Sequence, residues 1–405
     1  MIRSSKIEAE QWSQQPVPLE AAADIRPAAL VALFIAGFAT FVDLYVTQPL
    51  LPEFRQIFRA SELWVSLTIT APVLAVALTA PLLGVMADSV GRKRVIVAAL
   101  LGLVIPTTLT ATATSLFQLV IWRFLQGFFI PGIIAVAIAY ISEESPCKSV
   151  GSTMAVYVTG TVVGGFSGRF IAGIGVSYWG WRINFIVLGI ITFMGALATW
   201  WLLPRSTRFV RQRSGGVSLK PLLIHLRNTQ LLATYAVGFN VLFCMVGAFT
   251  YVNFYLADKP FYLGPASLGL IFGVYLIGAV ITPIAGRVLD AIGYRRALMG
   301  ATGLVAGGML LTLVHWVPSV IAGLALAATG VFVCQAAASS NVGKAAQGTR
   351  STAAGLYVAL YYLGGCTGSV FPGFFWQQTG WPGCVGIIVC VQVITATLAN
   401  RLWRD

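Results

Sequence analysis

Charge is the scarcest property of this sequence. Asp and Glu together number 13 against 26 Lys and Arg in 405 residues, so only 10% of positions are charged. Soluble domains carry about 25% charged residues, and a mean hydropathy of +0.84 excludes a chain whose surface mostly faces water. Histidine is nearly absent: His225 and His315 are the two, and neither has a cysteine or carboxylate cluster beside it. That leaves no candidate for a metal centre or a catalytic nucleophile, and the expectation is a protein without metal or cofactor that is not an enzyme. The six cysteines lack paired spacing and sit in or beside apolar stretches, as small packing residues do.

Hydrophobic residues make up 58% of the chain. They fall into runs near 28–50, 64–87, 95–114, 116–141, 150–173, 183–203, 230–256, 266–289, 297–316, 318–341, 352–375 and 382–402. Each run is about the 20 residues that a helix needs to cross a hydrocarbon core. The runs are continuously apolar rather than alternating, which favours helices over a barrel. An all-α integral membrane protein of twelve spans is predicted, with the lipid bilayer as its main surroundings.

The net charge of +13 follows topology and does not point to nucleic acid. With the N-terminus in the cytoplasm, only Arg55, Arg59, Arg182 and Lys259 among the cations outside the spans lie on the opposite side. Such bias sets orientation, and both termini inside requires an even number of spans. Glu8, Glu10, Glu20 and Asp24 precede the first apolar run, so residues 1–27 read as a cytoplasmic tail and not a cleavable signal peptide.

One polar stretch interrupts the spans. Residues 204–229, with Arg205, Arg208, Arg211, Arg213 and a Ser214-Gly215-Gly216 turn signal, read as a cytoplasmic linker between bundles 28–203 and 230–405. The two sides repeat. Pro81 through Arg94 aligns with Pro283 through Arg296, matching Gly84 to Gly286, Asp88 to Asp290 and Gly91 to Gly293. A second block, with Tyr157, Gly164-Gly165, Gly168 and Gly180-Trp181, aligns with Tyr357, Gly364-Gly365, Gly368 and Gly380-Trp381. Two blocks at one offset imply duplication, and parallel halves are the repeat pattern of a large class of transporters.

The loop Gly84-x-x-x-Asp88-x-x-Gly91-Arg92-Lys93-Arg94 resembles the signature of the major facilitator superfamily. Arg123 with Gln126-Gly127 resembles its fourth-helix arginine motif, and Gly160, Gly164, Gly165 and Gly168 resemble the antiporter motif of its proton-coupled drug exporters, with Gly165 at the usual proline position. The stretch from Phe41 to Pro52 resembles the first-helix ending of the twelve-helix drug:proton antiporter group, in its YnfM-like branch. The resemblance implies two pseudo-symmetric six-helix bundles around a central cavity, in a monomer of the bacterial inner membrane. It implies alternating access, with a small-molecule substrate and protons as partners. Proton-coupled efflux of amphipathic compounds or metabolites is the leading expectation. A sugar or other polar-solute exporter or facilitator is the alternative, and a non-transporting sensor is a third.

Asp43 is the one acid well inside a span, where a carboxylate is costly enough to suggest function. Asp43 and Arg123 each lie roughly 10 Å from the outer ends of their helices, so a pair is expected. A proton or substrate site and a permanent buried ion pair both remain open. Arg169, near the outer end of the fifth span, either snorkels to the interface or faces the pore. Gln48, Gln126, Asn240, Gln335, Tyr157, Tyr235, Tyr251, Tyr357 and Tyr361 are candidate cavity residues. Gly84, Asp88, Gly91, Arg92 and Arg94, with Gly286, Asp290, Gly293, Arg295 and Arg296, form the candidate gating loops. The resemblance sets Asp88 at the start of the eleventh helix and Asp290 at the start of the fifth. Gly160, Gly164, Gly165, Gly168, Gly364, Gly365 and Gly368 are candidate helix-packing positions.

Overall fold

The computed structural model describes residues 26–146, 149–206, 228–278, 280–281, 284, 291–345 and 350–403, with side chains throughout except at 81–90, 343–345 and 350–352. These residues contain helices and connecting turns and no strand. The first half comprises α1 (Pro27–Leu44), α2 (Leu51–Ile57), α3 (Glu62–Val90), α4 (Arg92–Thr110), α5 (Leu116–Phe129), α6 (Pro131–Glu144) and α7 (Val150–Leu202). The second comprises α8 (Thr229–Ala257), α9 (Pro265–Ile271), α10 (Tyr294–Leu311), α11 (Val317–Ala345), α12 (Arg350–Thr379) and α13 (Trp381–Leu402). Short 3₁₀ turns come after α1 at Gln48–Leu50 and continue α9 at Phe272–Leu276.

Among the described residues, nine helical stretches are long and apolar enough to cross a membrane. One of them, α7, bends at Gly180 into two arms that match the fifth and sixth expected spans. The eighth is represented by α9 with its 3₁₀ continuation and the ninth by α10, so helix stands at every expected position. The tail through 25, linker residues 207–227, Gly286 and Asp290 lie outside the described residues, as does the side chain of Asp88.

Repetition in the sequence becomes repetition in the backbone. The helix breaks before α4 and α10 fall on Gly91 (φ 106°) and Gly293 (φ 85°), and those before the last span of each half fall on Gly180 (φ 79°) and Gly380 (φ 68°). Only glycine adopts such angles without steric cost. Within each half, one stripe of glycines lets two helices meet backbone to backbone. A Cβ at Gly160, Gly164 or Gly168 would strike the carbonyl oxygen of Phe34, Phe38 or Val42 on α1, and one at Gly364 or Gly368 would strike that of Phe239 or Phe243 on α8. Lipid offers no hydrophobic drive for helices to associate, so close packing of this kind carries the association.

The halves meet along α3 with α12 and α7 with α9. Thr70 and Ser369 hydroxyls share a hydrogen bond of 2.7 Å across this seam, and Gly173 of α7 packs closely on Gly269 of α9. At the end opposite the termini, Arg55 of α2 donates to both carboxylate oxygens of Asp258 just beyond α8, at 2.6 and 3.0 Å, and to Glu62 at 2.9 Å. Side chains from both halves therefore lock that far end together.

Candidate transport site

The early end of α1 is set by a proline five residues beyond it. Pro49 has no N–H, and its ring cannot accommodate the carbonyl four residues back, so a regular helix cannot run through Tyr45–Gln48. The chain turns and restarts at the 3₁₀ segment, leaving the carbonyls of Asp43 and Leu44 without helical partners inside an apolar bundle. Arg123 supplies the partners. Its guanidinium donates to the Asp43 carbonyl at 2.7 Å, to the Leu44 carbonyl, to the Thr68 carbonyl at 3.0 Å and to Gln126 Oε1. A cation at a helix C-terminus also meets the negative end of the helix dipole.

This geometry corrects the expected Asp43–Arg123 pair. The two residues are adjacent, but the arginine binds main-chain oxygen and forms no ion pair with the carboxylate. Asp43 Oδ2 instead accepts from Thr192 Oγ1 at 2.8 Å and Thr107 Oγ1 at 3.2 Å, while Oδ1 is buried with no hydrogen-bond partner. Gln126 Nε2 donates to Thr107 at 2.8 Å and completes the cluster. Asp43, Arg123 and Gln126 are fully buried within the first bundle, and none of them lines the cavity between the halves.

That cavity measures about 420 Å³. Its walls come from both halves: Phe41 of α1 with Tyr45 and Gln48 just after it, Ile134 and Ile138 of α6, Tyr157, Gly165 and Arg169 of α7, then Val241, Leu242, Met245 and Val246 of α8, Tyr275 of the 3₁₀ turn after α9, Gln335 and Ser339 of α11, and Tyr357, Tyr361 and Tyr362 of α12. Tyr157 lies seven residues into α7, about 10 Å from the end that carries the termini, so the cavity reaches toward that end and away from the Arg55–Asp258 lock. Of the residues expected to line it, Gln48, Gln335, Tyr157, Tyr357, Tyr361 and Arg169 do so. Asn240 does not: it exchanges hydrogen bonds with Gln392 inside the second bundle. Tyr251 is likewise turned aside, donating to the Ser369 carbonyl at 2.9 Å, and Tyr235 is buried away from the cavity.

For Arg169 the structure decides between the two alternatives, in favour of the cavity. The arginine does not reach for an interface: it is 2% exposed, and its guanidinium carbon lies 4.6 to 4.9 Å from the ring centroids of Tyr45, Phe272 and Tyr275. Nε donates to Gln48 Oε1 at 2.7 Å and Nη1 to the Gly165 carbonyl at 2.6 Å. Gly165 thus differs from its neighbours in the stripe. A Cβ there would approach only Arg169, so it belongs to the cavity wall and not to the α1 contact, whereas Gly365 faces Leu242 and Val73.

At the loops, Arg92 forms a two-point ion pair with Glu143 at the end of α6, at 2.6 and 3.1 Å, and Arg295 donates to Asn400 near the end of α13. Each contact stays within one half, while Arg94 and Arg296 are exposed. Thr107, Thr192, Tyr45, Tyr275 and the Arg55–Asp258 lock carry no signal strong enough to single them out in the sequence. Only the last left a trace there, as opposite charges 203 residues apart just after the first helix of each half.

Two apolar bundles with a cavity on their seam and a polar cluster buried in one of them define the class of multi-pass membrane carriers. The chain belongs to the Major Facilitator Superfamily, whose family model matches residues 33–369, and it is a membrane transporter. It is 34% identical to the inner membrane transport protein YnfM of Escherichia coli over 92% of this chain and 90% of that one. It is 30% identical to the MFS-type transporter YybF of Bacillus subtilis over 92% and 93%. The fold superimposes on the nucleoside transporter NupG (TM-score 0.75, 14% identity, 93% of this chain and 100% of that one). It also superimposes on an inward-facing, occupied bacterial homologue of the human lysosomal transporter Spinster (TM-score 0.74, 17% identity, 92% and 96%).

Proposed function

We propose that this transporter exports small amphipathic compounds in exchange for protons, by alternating access at the cavity between its bundles. The observation that carries this reading is the cavity: it is walled by both halves, rich in tyrosine and aliphatic side chains, and sealed at the far end by side chains of both halves. Pockets of this size and lining suit drug-sized ligands. Both termini are taken as cytoplasmic on the distribution of Lys and Arg, so the described state faces inward. Release outside then requires the Arg55–Asp258 lock to part.

Asp43 is the proposed proton carrier. Its Oδ1 has no partner, and its own main chain is tied through Arg123 to the break in α1. A change of charge there acts on the segment leading directly to Tyr45 and Gln48 in the cavity wall. The duplicated loops around Asp88 and Asp290 are proposed to close the cytoplasmic end in the opposite state, with Arg92 and Arg295 holding each loop to its own bundle. The protein is taken to act as a monomer.

The test is transport of a panel of amphipathic compounds into liposomes holding the purified protein, with and without an imposed proton gradient. Accumulation that needs the gradient is the expected result. Equilibration that ignores the gradient would make the protein a facilitator, and binding without any flux would make it a sensor.

A further inference from the structure

We propose that the cavity selects organic anions, specifically amphipathic monoacids whose anionic head sits against Arg169. The proposal rests on the reading of this cavity as the substrate site, and it deepens that reading by naming the charge of the ligand.

Arg169 supplies the only formal charge on the described cavity wall, which contains no Asp, Glu or Lys. The ion pairs among the described residues involve Arg55 and Arg92, not Arg169. Its partners within the protein are neutral: an amide oxygen, a main-chain carbonyl and the faces of three rings. Aromatic faces lessen the cost of burying a cation, but they supply no counter-charge. Among the described residues, Nη2 finds no hydrogen-bond acceptor. A buried guanidinium without an anion is costly in an apolar bundle, and a carboxylate would accept from the open edge and neutralise it.

The rest of the wall fits the remainder of such a ligand. Ile138, Val158 and Phe332 provide apolar surface for an amphipathic body. A cationic amphipath is disfavoured beside Arg169, because the guanidinium repels it there and the described wall holds no acid to offset that repulsion.

The experiment uses the purified full chain and three probes on one skeleton: 1-naphthoate, its methyl ester and 1-naphthylmethylammonium. Equilibrium dialysis should show naphthoate bound at least tenfold more tightly than either analogue. Arg169→Gln should abolish the preference, and Arg169→Lys should keep part of it. On the unmutated protein, naphthoate but not the ester should slow modification of Arg169 by phenylglyoxal, read by mass spectrometry, which covers the case of a variant that fails to fold. Equal binding of the three, tighter binding of the ester or the ammonium, binding of none, or a tenfold preference that survives Arg169→Gln would each overturn the proposal. Anion-selective binding with no flux in liposomes upholds it while removing the transport reading. Flux of the ester or ammonium without anion preference does the reverse.

Discussion

The first bundle places Asp43 where the second places Cys244. The match comes from the glycine contacts, since Gly164 on Phe38 and Gly168 on Val42 correspond to Gly364 on Phe239 and Gly368 on Phe243. Counting from Trp181 and Trp381 sets Thr192 against Gln392, and counting from the starts of α5 and α11 sets Arg123 against Leu324 and Gln126 against Ala327. Arg169 stands against Ser369, which bonds Thr70 across the seam. Duplication therefore kept the packing and not the polar chemistry. The physical reason is that backbone contact between helices needs glycine in both halves, whereas each ionisable group inside a membrane costs several kcal/mol unless something uses it.

The sharpest way to break this comparison is to remove the charge from one half and alter its counterpart in the other. Asp43→Asn is expected to abolish uphill, proton-driven accumulation in liposomes, a loss of more than a hundredfold, while Cys244→Ser changes it by less than about twofold. Equal loss from both substitutions would mean that the position matters for packing and not for charge.

Next in size is Arg123→Leu, which gives the first half the residue of the second. It strands the carbonyls of Asp43, Leu44 and Thr68, and the expected loss is about 3–5 kcal/mol, the usual cost of breaking a buried charged network. Leu324→Met, its counterpart, should cost less than about 1.5 kcal/mol. Unfolding in denaturant, monitored by tryptophan fluorescence, separates the two.

The shared scaffold predicts equality elsewhere. Gly168→Ala and Gly368→Ala each drive a Cβ into a facing carbonyl, and each should cost about 1–3 kcal/mol. Gly165→Ala, with only the Arg169 side chain nearby, should cost less than either, and thermal unfolding of the three would show whether the two stripes are energetically alike. Smallest is Asp258→Asn, which loosens a partly exposed pair worth about 1 kcal/mol or less. A several-fold rise in the population open at the far end is expected from spin-label distances across that end, and an unchanged distribution would remove Arg55–Asp258 as a lock.

Much of the fold was legible because its signals are local or periodic. Apolar length marks a span, a repeated block marks a duplication, and a glycine at a required positive φ or a close backbone contact is already the residue that the position needs. Asp43, Arg123 and Arg169 could be singled out for the same reason, since charge inside an apolar run is conspicuous. Their partners could not be read. Arg123 binds main-chain oxygens exposed by a helix break on another element, and Thr107 and Thr192 reach Asp43 from helices 64 and 149 residues away in sequence.

Hydropathy and repetition determined by themselves that this chain spans a membrane as two like halves, because lipid leaves the backbone no alternative to helices of fixed length. Tertiary structure alone decided that Asp43 lies enclosed in one bundle while Arg169 faces the cavity between both. Which way a side chain points depends on the rotation of its helix against neighbours distant in sequence, and no local pattern records that rotation.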